Sequence, residues 1–398
     1  MKILMLTPYL PYPLLSGGQI RTYNLLKNLK DHHEITLFSL IKDDGERQYL
    51  PQLKKFCKKV VLLKRTKNPW SPRNILLAGL TAYPFLVTRN MPIRASHIIE
   101  QELKNDQYDL IHAETFYMMP NIPKTKTPIL LVEQTIEYLG YQSYAHNVKF
   151  WPIKPLLSID IAKIKRWETY FWQQASKLVT MSADDKVFIQ KEVGKKLNIA
   201  VVANGVDMEF FNSVKKLNPQ QPTVLFVGTF KWLPNADAVE FLVEQIWPKI
   251  IAKIPGAKLH IVGFSPSKKI LAYGQQDSIT VSGGIEDIRD AYRQAHVLLA
   301  PVRSGKGTRY KVLEAMAMGL PVVGTSLSVE GLDVRPGQDA LVAETAEGLA
   351  TKTIKILQDK KLQNKLAQNG KRLVSSRYDW TVISRELDRI YQELGKKK

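Results

Sequence analysis

The sequence predicts an α/β protein made of two doubly wound domains, each with a parallel sheet covered by helices. Short apolar runs of strand length alternate with longer stretches whose apolar residues recur at helical spacing. This alternation is typical of parallel sheets that are buried on both faces. The length of 398 residues fits two to three domains at roughly 150 residues each.

The predicted strands fall into two series. The first series contains the runs 2–6, 34–40, 60–63, 110–112, 128–132 and 178–181. The second contains 199–203, 224–227, 259–262, 279–281, 297–300, 321–323 and 340–342. Helical periodicity is clearest at 19–29, 157–171, 236–254, 286–295, 311–318 and 380–394. We therefore predict one domain over 1–178, a second over 179–375, and a C-terminal helix at 376–398.

Composition excludes several classes of protein. Apolar residues make up 44% and charged residues 24% of the chain, which is ordinary for a globular protein and argues against disorder. No apolar run reaches the roughly 18 residues that a membrane helix needs, and the start lacks the pattern of a signal peptide. The single cysteine, Cys57, excludes an internal disulfide framework. These features predict a cytoplasmic protein.

The charge of the chain is strongly basic. Lys and Arg number 57 against 37 Asp and Glu, a net charge of +20, which favours anionic partners. No acidic residue stands between Glu46 and Glu100, where eleven Lys or Arg occur. This stretch predicts either a solvated basic face or a surface for the acidic membrane leaflet. The candidate membrane residues are Lys54, Lys55, Lys58, Lys59 and Trp70. No nucleic-acid recognition motif is present.

The loops that follow the predicted strands carry the candidate chemistry, because ligands of open parallel sheets bind at the carboxyl ends of the strands. Gly17 and Gly18 precede the first helix and are candidate donor-binding residues, with an anion site and a plain turn as the two interpretations. The richest loop follows the run 297–300. It predicts a phosphate cradle through Arg303, Gly305, Lys306, Gly307, Thr308, Arg309 and Lys311. Glu314, three residues after Lys311, is a candidate acceptor for ribose hydroxyls.

Other phosphate and metal motifs are absent from the sequence. The loop at 301–314 does not have the spacing of a Walker loop, and no G-x-G-x-x-G follows the first strand. No Asp-x-Asp occurs, so the sequence does not indicate a carboxylate-held divalent cation. We therefore expect no metal and no cofactor besides the substrate itself.

As a set, the motifs resemble those of retaining glycosyltransferases of family 4 with the two-domain GT-B architecture, in particular a polysaccharide-biosynthesis subgroup with a Gly-Thr-Arg-x-Lys loop. The matching segments are 17–21, 202–207, 226–228, 261–263, 282–287 and 313–323. The resemblance implies two Rossmann-like domains facing each other across a cleft, with the last helix crossing back to the first domain. It also implies a nucleotide-diphosphate sugar on the second domain and a glycan or lipid-linked acceptor on the first.

Residue roles follow from that resemblance. Glu314 matches the second Glu of the family's E-x7-E motif, which holds ribose, and Ile285 matches the position whose backbone reads the base. Gly228, Lys231 and Gly284 fall in the loops that would complete the donor site. Arg309 and Lys311 would stabilise the leaving diphosphate.

The sequence departs from the family pattern at several positions. The first Glu of the motif falls on Lys306, and the usual Arg and Lys after the Phe-Val-Gly strand fall on Thr229 and Pro234. The histidine expected on the acceptor side falls on Gln134, beside Glu133. His112 and Glu114 follow an adjacent strand and are candidates to replace it.

The resulting hypothesis is retaining transfer of a sugar from a nucleotide-diphosphate donor to a glycan or lipid-linked acceptor, in the biosynthesis of a cell-surface polysaccharide or glycolipid. Two alternatives remain open at this level: a nucleotide-sugar epimerase of the same architecture, and a non-catalytic nucleotide-sugar binder.

Overall fold

The computed structural model describes residues 1–148, 150–194, 197–217, 219–305 and 310–396. Contacts divide the chain into two compact units. The N-terminal unit consists of Met1–Ala203 together with Ile383–Lys398, and the C-terminal unit of Asn204–Val382. Each unit contains one parallel sheet, so the predicted class of two Rossmann-like α/β domains is confirmed.

The sheet of the N-terminal unit has seven parallel strands in the order β3-β2-β1-β4-β5-β6-β7. Its strands are β1 (Lys2–Thr7), β2 (Glu34–Ile41), β3 (Lys59–Lys64), β4 (Leu110–Glu114), β5 (Ile129–Glu133), β6 (Lys177–Thr180) and β7 (Ile199–Val201). The order reverses between β1 and β4. Such a reversal opens a crevice at the carboxyl ends of the two strands, where ligands of doubly wound sheets bind.

Eight helices accompany this sheet in the described part of the unit, besides its share of the last helix. They are α1 (Gly17–Leu29), α2 (Leu50–Leu53), α3 (Pro72–Leu80), α4 (Phe85–Thr88), α5 (Ala95–Asn105), α6 (Glu137–Asn147), α7 (Lys154–Gln174) and α8 (Ala183–Val193). Short 3-10 turns lie at Asp44–Tyr49, Phe116–Asn121 and Trp151–Ile153.

The sheet of the C-terminal unit has six parallel strands in the order β10-β9-β8-β11-β12-β13. They are β8 (Thr223–Val227), β9 (Lys258–Val262), β10 (Ile279–Ser282), β11 (Val297–Ala300), β12 (Val322–Gly324) and β13 (Leu341–Val342). The order reverses between β8 and β11, so this unit repeats the winding of the first, and its crevice lies at the ends of these two strands.

The remaining helices follow in chain order. They are α9 (Met208–Asn212), α10 (Leu233–Phe241), α11 (Trp247–Lys253), α12 (Lys268–Tyr273), α13 (Ile288–Arg293), α14 (Tyr310–Ala317), α15 (Ala346–Gln358), α16 (Lys360–Arg377) and α17 (Trp380–Gly395). A π-helical turn at Leu242–Ile246 joins α10 to α11, and a 3-10 turn lies at Ser326–Ser328.

Continuous apolar strands explain why both sheets are buried. In β1 the residues from Ile3 to Leu6 are all fully buried, as expected of a central strand that is covered on both faces. In the C-terminal unit, Val224, Phe226, Leu299 and others pack with apolar residues of α10, α11 and α15 in one core.

Two details of the predicted organisation differ from the structure. The run 199–203 was expected to open the second series, but β7 pairs in parallel with β6, with Leu178 opposite Ile199. The first sheet therefore extends past residue 178, and the division between the units follows Ala203. The predicted single helix at 236–254 is interrupted by the π-helical turn.

None of the described helices has both the length and the apolar character required to cross a bilayer.

Candidate active site

The crevice of the C-terminal unit begins with two glycines at the ends of neighbouring strands. Gly228 follows β8 and Gly263 follows β9. A Cβ on Gly263 would lie 1.6 Å from the carbonyl oxygen of Gly228, and a Cβ on Gly228 would lie 2.8 Å from Cγ of Asn235. Gly263 therefore needs glycine, because the backbones of the two loops approach more closely than a side chain allows, whereas a side chain at Gly228 would displace the amide of Asn235.

Lys311, in the first turn of α14, is held by its neighbours at this crevice. Its Nζ donates to Oδ1 of Asn235 at 2.8 Å and lies 4.4 Å from the ring centroid of Phe226. The side-chain nitrogen of Asn235, Nδ2, donates to the carbonyl oxygen of Thr229. Asn235 does not cap α10, because that helix begins at Leu233. Its amide instead connects the loop after β8 to Lys311.

Glu314 lies one turn further along α14. Its Oε2 accepts a hydrogen bond from the hydroxyl of Tyr292 at 2.7 Å. Burial raises the pKa of the Glu314 carboxyl, while the Tyr292 hydrogen bond and the charge of Lys311 offset part of that rise. Nothing in the sequence marks Tyr292 as a site residue, since a tyrosine inside a helix such as α13 is ordinarily a core residue.

The other candidate donor-site residues have varied surroundings. Arg303 forms an ion pair with Asp237 at 2.6 Å, and its guanidinium lies 4.3 Å from the Phe241 ring centroid. Gly305 has a φ of +94°, a left-handed conformation that favours glycine. The candidates Lys306, Gly307, Thr308 and Arg309 lie outside the described residues.

The candidate residues in the loops after β10 and β8 are more exposed to solvent than Lys311 and Glu314. Gly284 and Lys231 are exposed, and Ile285 is half-buried. A Cβ on Gly284 would be in ordinary contact with the ring of Phe264, 3.6 Å away. Asp287 caps α13 and accepts from the backbone amide of Arg289, which agrees with the structural role expected for an acidic residue at a helix start.

The crevice of the N-terminal unit centres on Gly18, one residue into α1. A Cβ on Gly18 would lie 2.1 Å from the Tyr9 hydroxyl and 2.6 Å from Oε1 of Gln134. Gly17, which precedes it, is the first residue of α1. Residues from the ends of β1 and β5 therefore meet at the start of this helix, beside the reversal of strand order.

Gln134 is the outer member of a chain of hydrogen bonds. Its Nε2 donates to the Tyr9 hydroxyl and to Oε2 of Glu114, both at 2.7 Å. Oε1 of Glu114 lies 3.1 Å from Nε2 of His112, whose Nδ1 lies 2.6 Å from the hydroxyl of Tyr391. Both ring nitrogens of His112 are engaged, and neither His112 nor Glu114 is exposed to solvent.

The charges around Glu114 favour its ionised form. Burial acts to raise its pKa, but the hydrogen bond and charge of His112, the charge of Arg21 and the hydrogen bond from Gln134 outweigh burial, so the pKa lies below its usual value. His112 and Glu114, predicted as direct replacements for the family's histidine, are instead placed behind Gln134, the half-buried residue at the surface of the crevice.

Glu133, an acceptor-side candidate, lies in the core. Successive residues at the end of a strand point to opposite faces, so Glu133 faces inward while Gln134 faces the crevice. Oε1 of Glu133 accepts a hydrogen bond from Nε1 of Trp172 at 3.1 Å. Oε2 of Glu133 is buried without a hydrogen-bond partner in the described structure. Burial, followed by the charge of Glu168, raises the pKa of Glu133 well above its usual value.

The candidate membrane residues do not form one continuous segment. Lys54 and Lys55 are exposed. Lys58 pairs with Glu34 at 2.7 Å and Lys59 with Glu102 at 2.6 Å. These four lysines lie before or at the start of β3, whereas Trp70 comes after its end, and six residues of strand span about 20 Å. The lysines therefore precede or begin the strand and Trp70 follows its end, and their use as one membrane surface stays a prediction.

No cluster of three or more His, Cys, Asp or Glu side chains with the arrangement of a metal site occurs within the described ranges.

Comparison with known proteins identifies the two halves of the chain. Residues 15–210 match the model of the glycosyltransferase family 4 domain, and residues 221–359 match the model described as glycosyl transferases group 1. The chain carries two glycosyltransferase domains. The boundary between the two matches lies close to Ala203, where the structure divides into its two units.

Relatives of these glycosyltransferase domains include characterised transferases. The phosphatidyl-myo-inositol mannosyltransferase of Mycobacterium tuberculosis is 30% identical over 213 residues, which is 49% of this chain and 54% of that protein. The chain thus matches about half the length of this relative.

Solved structures confirm the GT-B fold of the glycosyltransferase domains. Sucrose-phosphate synthase from Thermosynechococcus elongatus superposes with a TM-score of 0.74 at 18% identity, covering 100% of both chains. Anabaena HepE in complex with UDP-glucose superposes with a TM-score of 0.65 at 16% identity, covering 99% of this chain and 100% of the other.

Proposed function

We propose that the protein transfers a sugar, with retention of configuration, from a nucleotide-diphosphate donor to a glycan or lipid-linked acceptor. The observation that carries this proposal is the pairing of Glu314 and Lys311 on α14, at the reversal of strand order in the C-terminal unit. Tyr292 occupies one oxygen of the Glu314 carboxylate, which orients the other oxygen for the ribose hydroxyls of a nucleotide. The amine of Lys311 is placed one turn away for the phosphates.

The donor-side chemistry is electrostatic in this proposal. As the bond to the sugar breaks, negative charge develops on the departing diphosphate, and pre-oriented cations stabilise that charge without reorganisation. Asn235 and Phe226 fix the amine of Lys311 in advance, and Arg309 is the second cation in the hypothesis. The reaction then requires no metal ion and no cofactor.

The nucleotide is proposed to be uridine diphosphate. The Anabaena relative in the structural comparison holds UDP-glucose, and the Mycobacterium relative is a mannosyltransferase. A hexose carried by UDP is therefore the first donor to test.

The N-terminal unit is proposed to bind the acceptor at Gly18, Tyr9 and Gln134. Gln134 would orient the acceptor hydroxyl through its amide oxygen, which faces Gly18. Glu114 and His112 are positioning residues in this scheme, because both are fully buried and reach the crevice through Gln134.

An apolar patch on the same unit supports a peripheral membrane location. The patch consists of exposed side chains on α3 and α7 and in the preceding loop, namely Trp70, Leu76, Leu80, Leu156 and Ile159. The two helices are joined where Nζ of Lys163 donates to the carbonyl oxygens of Ala78 and Thr81. Exposed apolar patches of this kind mark interaction surfaces, and a membrane-bound acceptor would favour one here.

Sedimentation with lipid vesicles tests the membrane location. Leu80→Asp with Leu156→Asp should abolish sedimentation with the vesicles. Lys54→Glu with Lys55→Glu, at the opposite end of β3, should leave most of it. The reverse pattern would assign binding to the lysines and contradict the apolar patch.

A donor screen tests the proposed reaction. Nucleotide sugars are added at saturating concentration, and the midpoint of thermal unfolding is measured. A donor at 100 times its Kd should stabilise the fold by about 2.7 kcal/mol. The stabilising donor is then incubated with and without acceptor glycans, with EDTA present, and the products are identified by NMR.

The outcomes separate the proposal from its alternatives. Transfer to an acceptor that gives a retained linkage and resists EDTA supports the proposal. An epimerised sugar nucleotide formed without acceptor identifies an epimerase instead. Donor binding without turnover on any acceptor identifies a non-catalytic binder.

A further inference from the structure

The loop that carries Gln134 is short and is held at both ends by one helix. It consists of residues 134–136 and joins the end of β5 at Glu133 to the start of α6 at Glu137. A loop of this length has the position that its two ends impose. Both of these ends form hydrogen bonds to side chains of α7.

The start of α6 is capped by a residue from α7. Its own N-cap position is Ile136, whose side chain offers no hydrogen-bond acceptor, although the first amides of a helix have no partner within it. Oε1 of Glu168 accepts from the backbone amide of Glu137 at 2.7 Å, and Oε2 accepts from that of Tyr138 at 3.1 Å. Glu168 is fully buried on α7. A carboxyl from another helix therefore supplies the cap that a local Ser, Thr, Asp or Asn usually supplies.

The end of β5 is held by the same face of α7. Trp172 comes four residues after Glu168 in that helix, so the two side chains lie one turn apart on one face. Nε1 of Trp172 donates to Oε1 of Glu133 at 3.1 Å, and both residues are buried. We call Glu168 and Trp172 the α7 clamp. It holds the residues on both sides of the loop 134–136.

The side chain of Gln134 extends from this loop to two other elements of the crevice. Its Nε2 donates to the hydroxyl of Tyr9, after β1, and to Oε2 of Glu114, at the end of β4, both at 2.7 Å. Two such bonds from one nitrogen require a fixed backbone, because hydrogen bonds tolerate only a narrow range of distances and angles. Burying the carboxyl of Glu168 costs free energy that a local cap would not require. Capping alone therefore does not explain this residue, whereas a fixed loop does.

We propose that Glu168 and Trp172 are positioning residues for the acceptor side of the reaction. They hold the backbone of the loop 134–136 in the one place from which Gln134 reaches both Tyr9 and Glu114 and directs its amide oxygen towards Gly18. The proposal rests on the acceptor role assigned above to Gln134. It adds the residues that give this side chain its geometry.

NMR of the glutamine side-chain amides tests the α7 clamp without any substrate. The full chain is labelled with ¹⁵N at glutamine side chains, and the signal that disappears in Gln134→Leu is assigned to Gln134. In wild type its amide protons should exchange with water more slowly than those of exposed glutamines. Glu168→Leu removes both acceptors, and Trp172→Phe removes the indole donor and keeps an aromatic ring. Each variant should accelerate the exchange of the Gln134 amide by about tenfold or more.

Two further variants serve as controls. Asp160, also on α7, accepts from the backbone amide of Phe85 at 2.8 Å at the start of α4, so Asp160→Leu removes a similar cap from a different helix. It should lower the midpoint of thermal unfolding and leave the exchange of the Gln134 amide within about twofold of wild type. Glu133→Gln removes a charge but keeps an acceptor for Trp172, and it should also leave that exchange unchanged.

The outcomes separate positioning from a general structural role. A lower unfolding midpoint with unchanged Gln134 exchange, in Glu168→Leu or in Trp172→Phe, overturns the positioning role of the substituted residue. Acceleration by Asp160→Leu as large as that by the clamp variants would indicate general loosening of α7 and would also overturn the proposal. If Glu168→Leu does not fold, the milder Trp172→Phe decides.

The result is separable from the proposed function. If Gln134→Leu transfers sugar at the wild-type rate, the acceptor role of Gln134 fails. The exchange of the Gln134 amide in the clamp variants still shows whether Glu168 and Trp172 hold this side chain in place.

Discussion

The side-chain amide of Gln134 donates to the carboxylate of Glu114 at 2.7 Å, so a residue at the surface of the crevice holds a fully buried negative charge. The same amide nitrogen donates to the Tyr9 hydroxyl. A neutral amide therefore performs two tasks, stabilising the ionised carboxyl below it and directing its own oxygen towards Gly18.

We predict that Gln134→Leu separates catalysis from donor binding. Loss of the amide leaves the Glu114 carboxylate short of one donor, which should lower the free energy of unfolding by about 1–3 kcal/mol. The transfer rate should fall at least tenfold, while the Kd for UDP stays within twofold because the donor is assigned to the other unit. Rate assays and calorimetry check this, with Gln101→Leu on the exposed face of α5 as the matched control.

Gly18→Ala should impair the acceptor side without preventing folding. The new Cβ would meet the Tyr9 hydroxyl at 2.1 Å, the far end of a side chain that can move, so the hydrogen bond to Gln134 is lost. We expect a stability loss of about 1–3 kcal/mol and a raised KM for the acceptor.

The matched control for that substitution is Gly79→Ala. Nothing lies within 4 Å of a Cβ at Gly79 in α3, so alanine there should stabilise the helix by about 0.5–1 kcal/mol. Equal effects of the two substitutions on acceptor KM would contradict the role assigned to Gly18.

Glu314→Gln should weaken UDP binding through the ribose. Loss of a charged acceptor costs about 1.5–3 kcal/mol, a factor of roughly 10 to 150 in Kd. Calorimetry on wild type and Glu314→Gln, each with UDP and with 2′,3′-dideoxy-UDP, gives a double-mutant cycle that isolates the contact between carboxylate and ribose. Wild type should discriminate strongly between the two nucleotides and Glu314→Gln only weakly. Undiminished discrimination in the variant would show that the carboxylate does not contact the ribose.

The stability of the Glu133→Gln variant should depend on pH differently from wild type. In the folded protein the pKa of Glu133 is raised by burial and by the charge of Glu168, whose own pKa is raised to about 8. The folded state thus binds more protons than the unfolded state above pH 4.5, and this group's contribution to stability falls as the pH rises.

Denaturant unfolding at several pH values measures this effect. We expect the stability of Glu133→Gln relative to wild type to increase by more than about 1 kcal/mol between pH 5 and pH 8. The remaining acceptor of the glutamine still takes the hydrogen bond from Trp172. A stability difference that stays constant from pH 5 to pH 8 would mean that folding does not raise the pKa of Glu133.

The periodicity of the sequence was sufficient to predict both sheets, because strands buried on two faces are almost wholly apolar. The periodicity did not predict which sheet β7 joins, because its three residues carry no sign of their partner strand. The pairing of β7 with β6 assigns it to the first sheet, and that pairing depends on the whole fold.

The positions of Gly18 and Glu314 near the starts of α1 and α14 follow from the sequence, because backbone and helix position define them, while their binding roles stay predictions. The candidate site was not predictable where one side chain selects another. Nothing local marks Tyr292 as the partner of Glu314, and nothing local distinguishes Arg303, which pairs with Asp237, from a phosphate ligand. The inward direction of Glu133 likewise depends on where its strand ends.

The hydrogen bond between Tyr391 and His112 has a consequence for synthesis of the chain on the ribosome. The N-terminal unit includes Ile383–Lys398, so the partner that closes over His112 emerges only after the whole C-terminal unit has been translated. At about 5–20 residues per second the interval is roughly 10–35 s. During that time His112 lacks the hydroxyl of Tyr391 as its partner. A prematurely terminated chain would leave His112 accessible to chaperones and proteases.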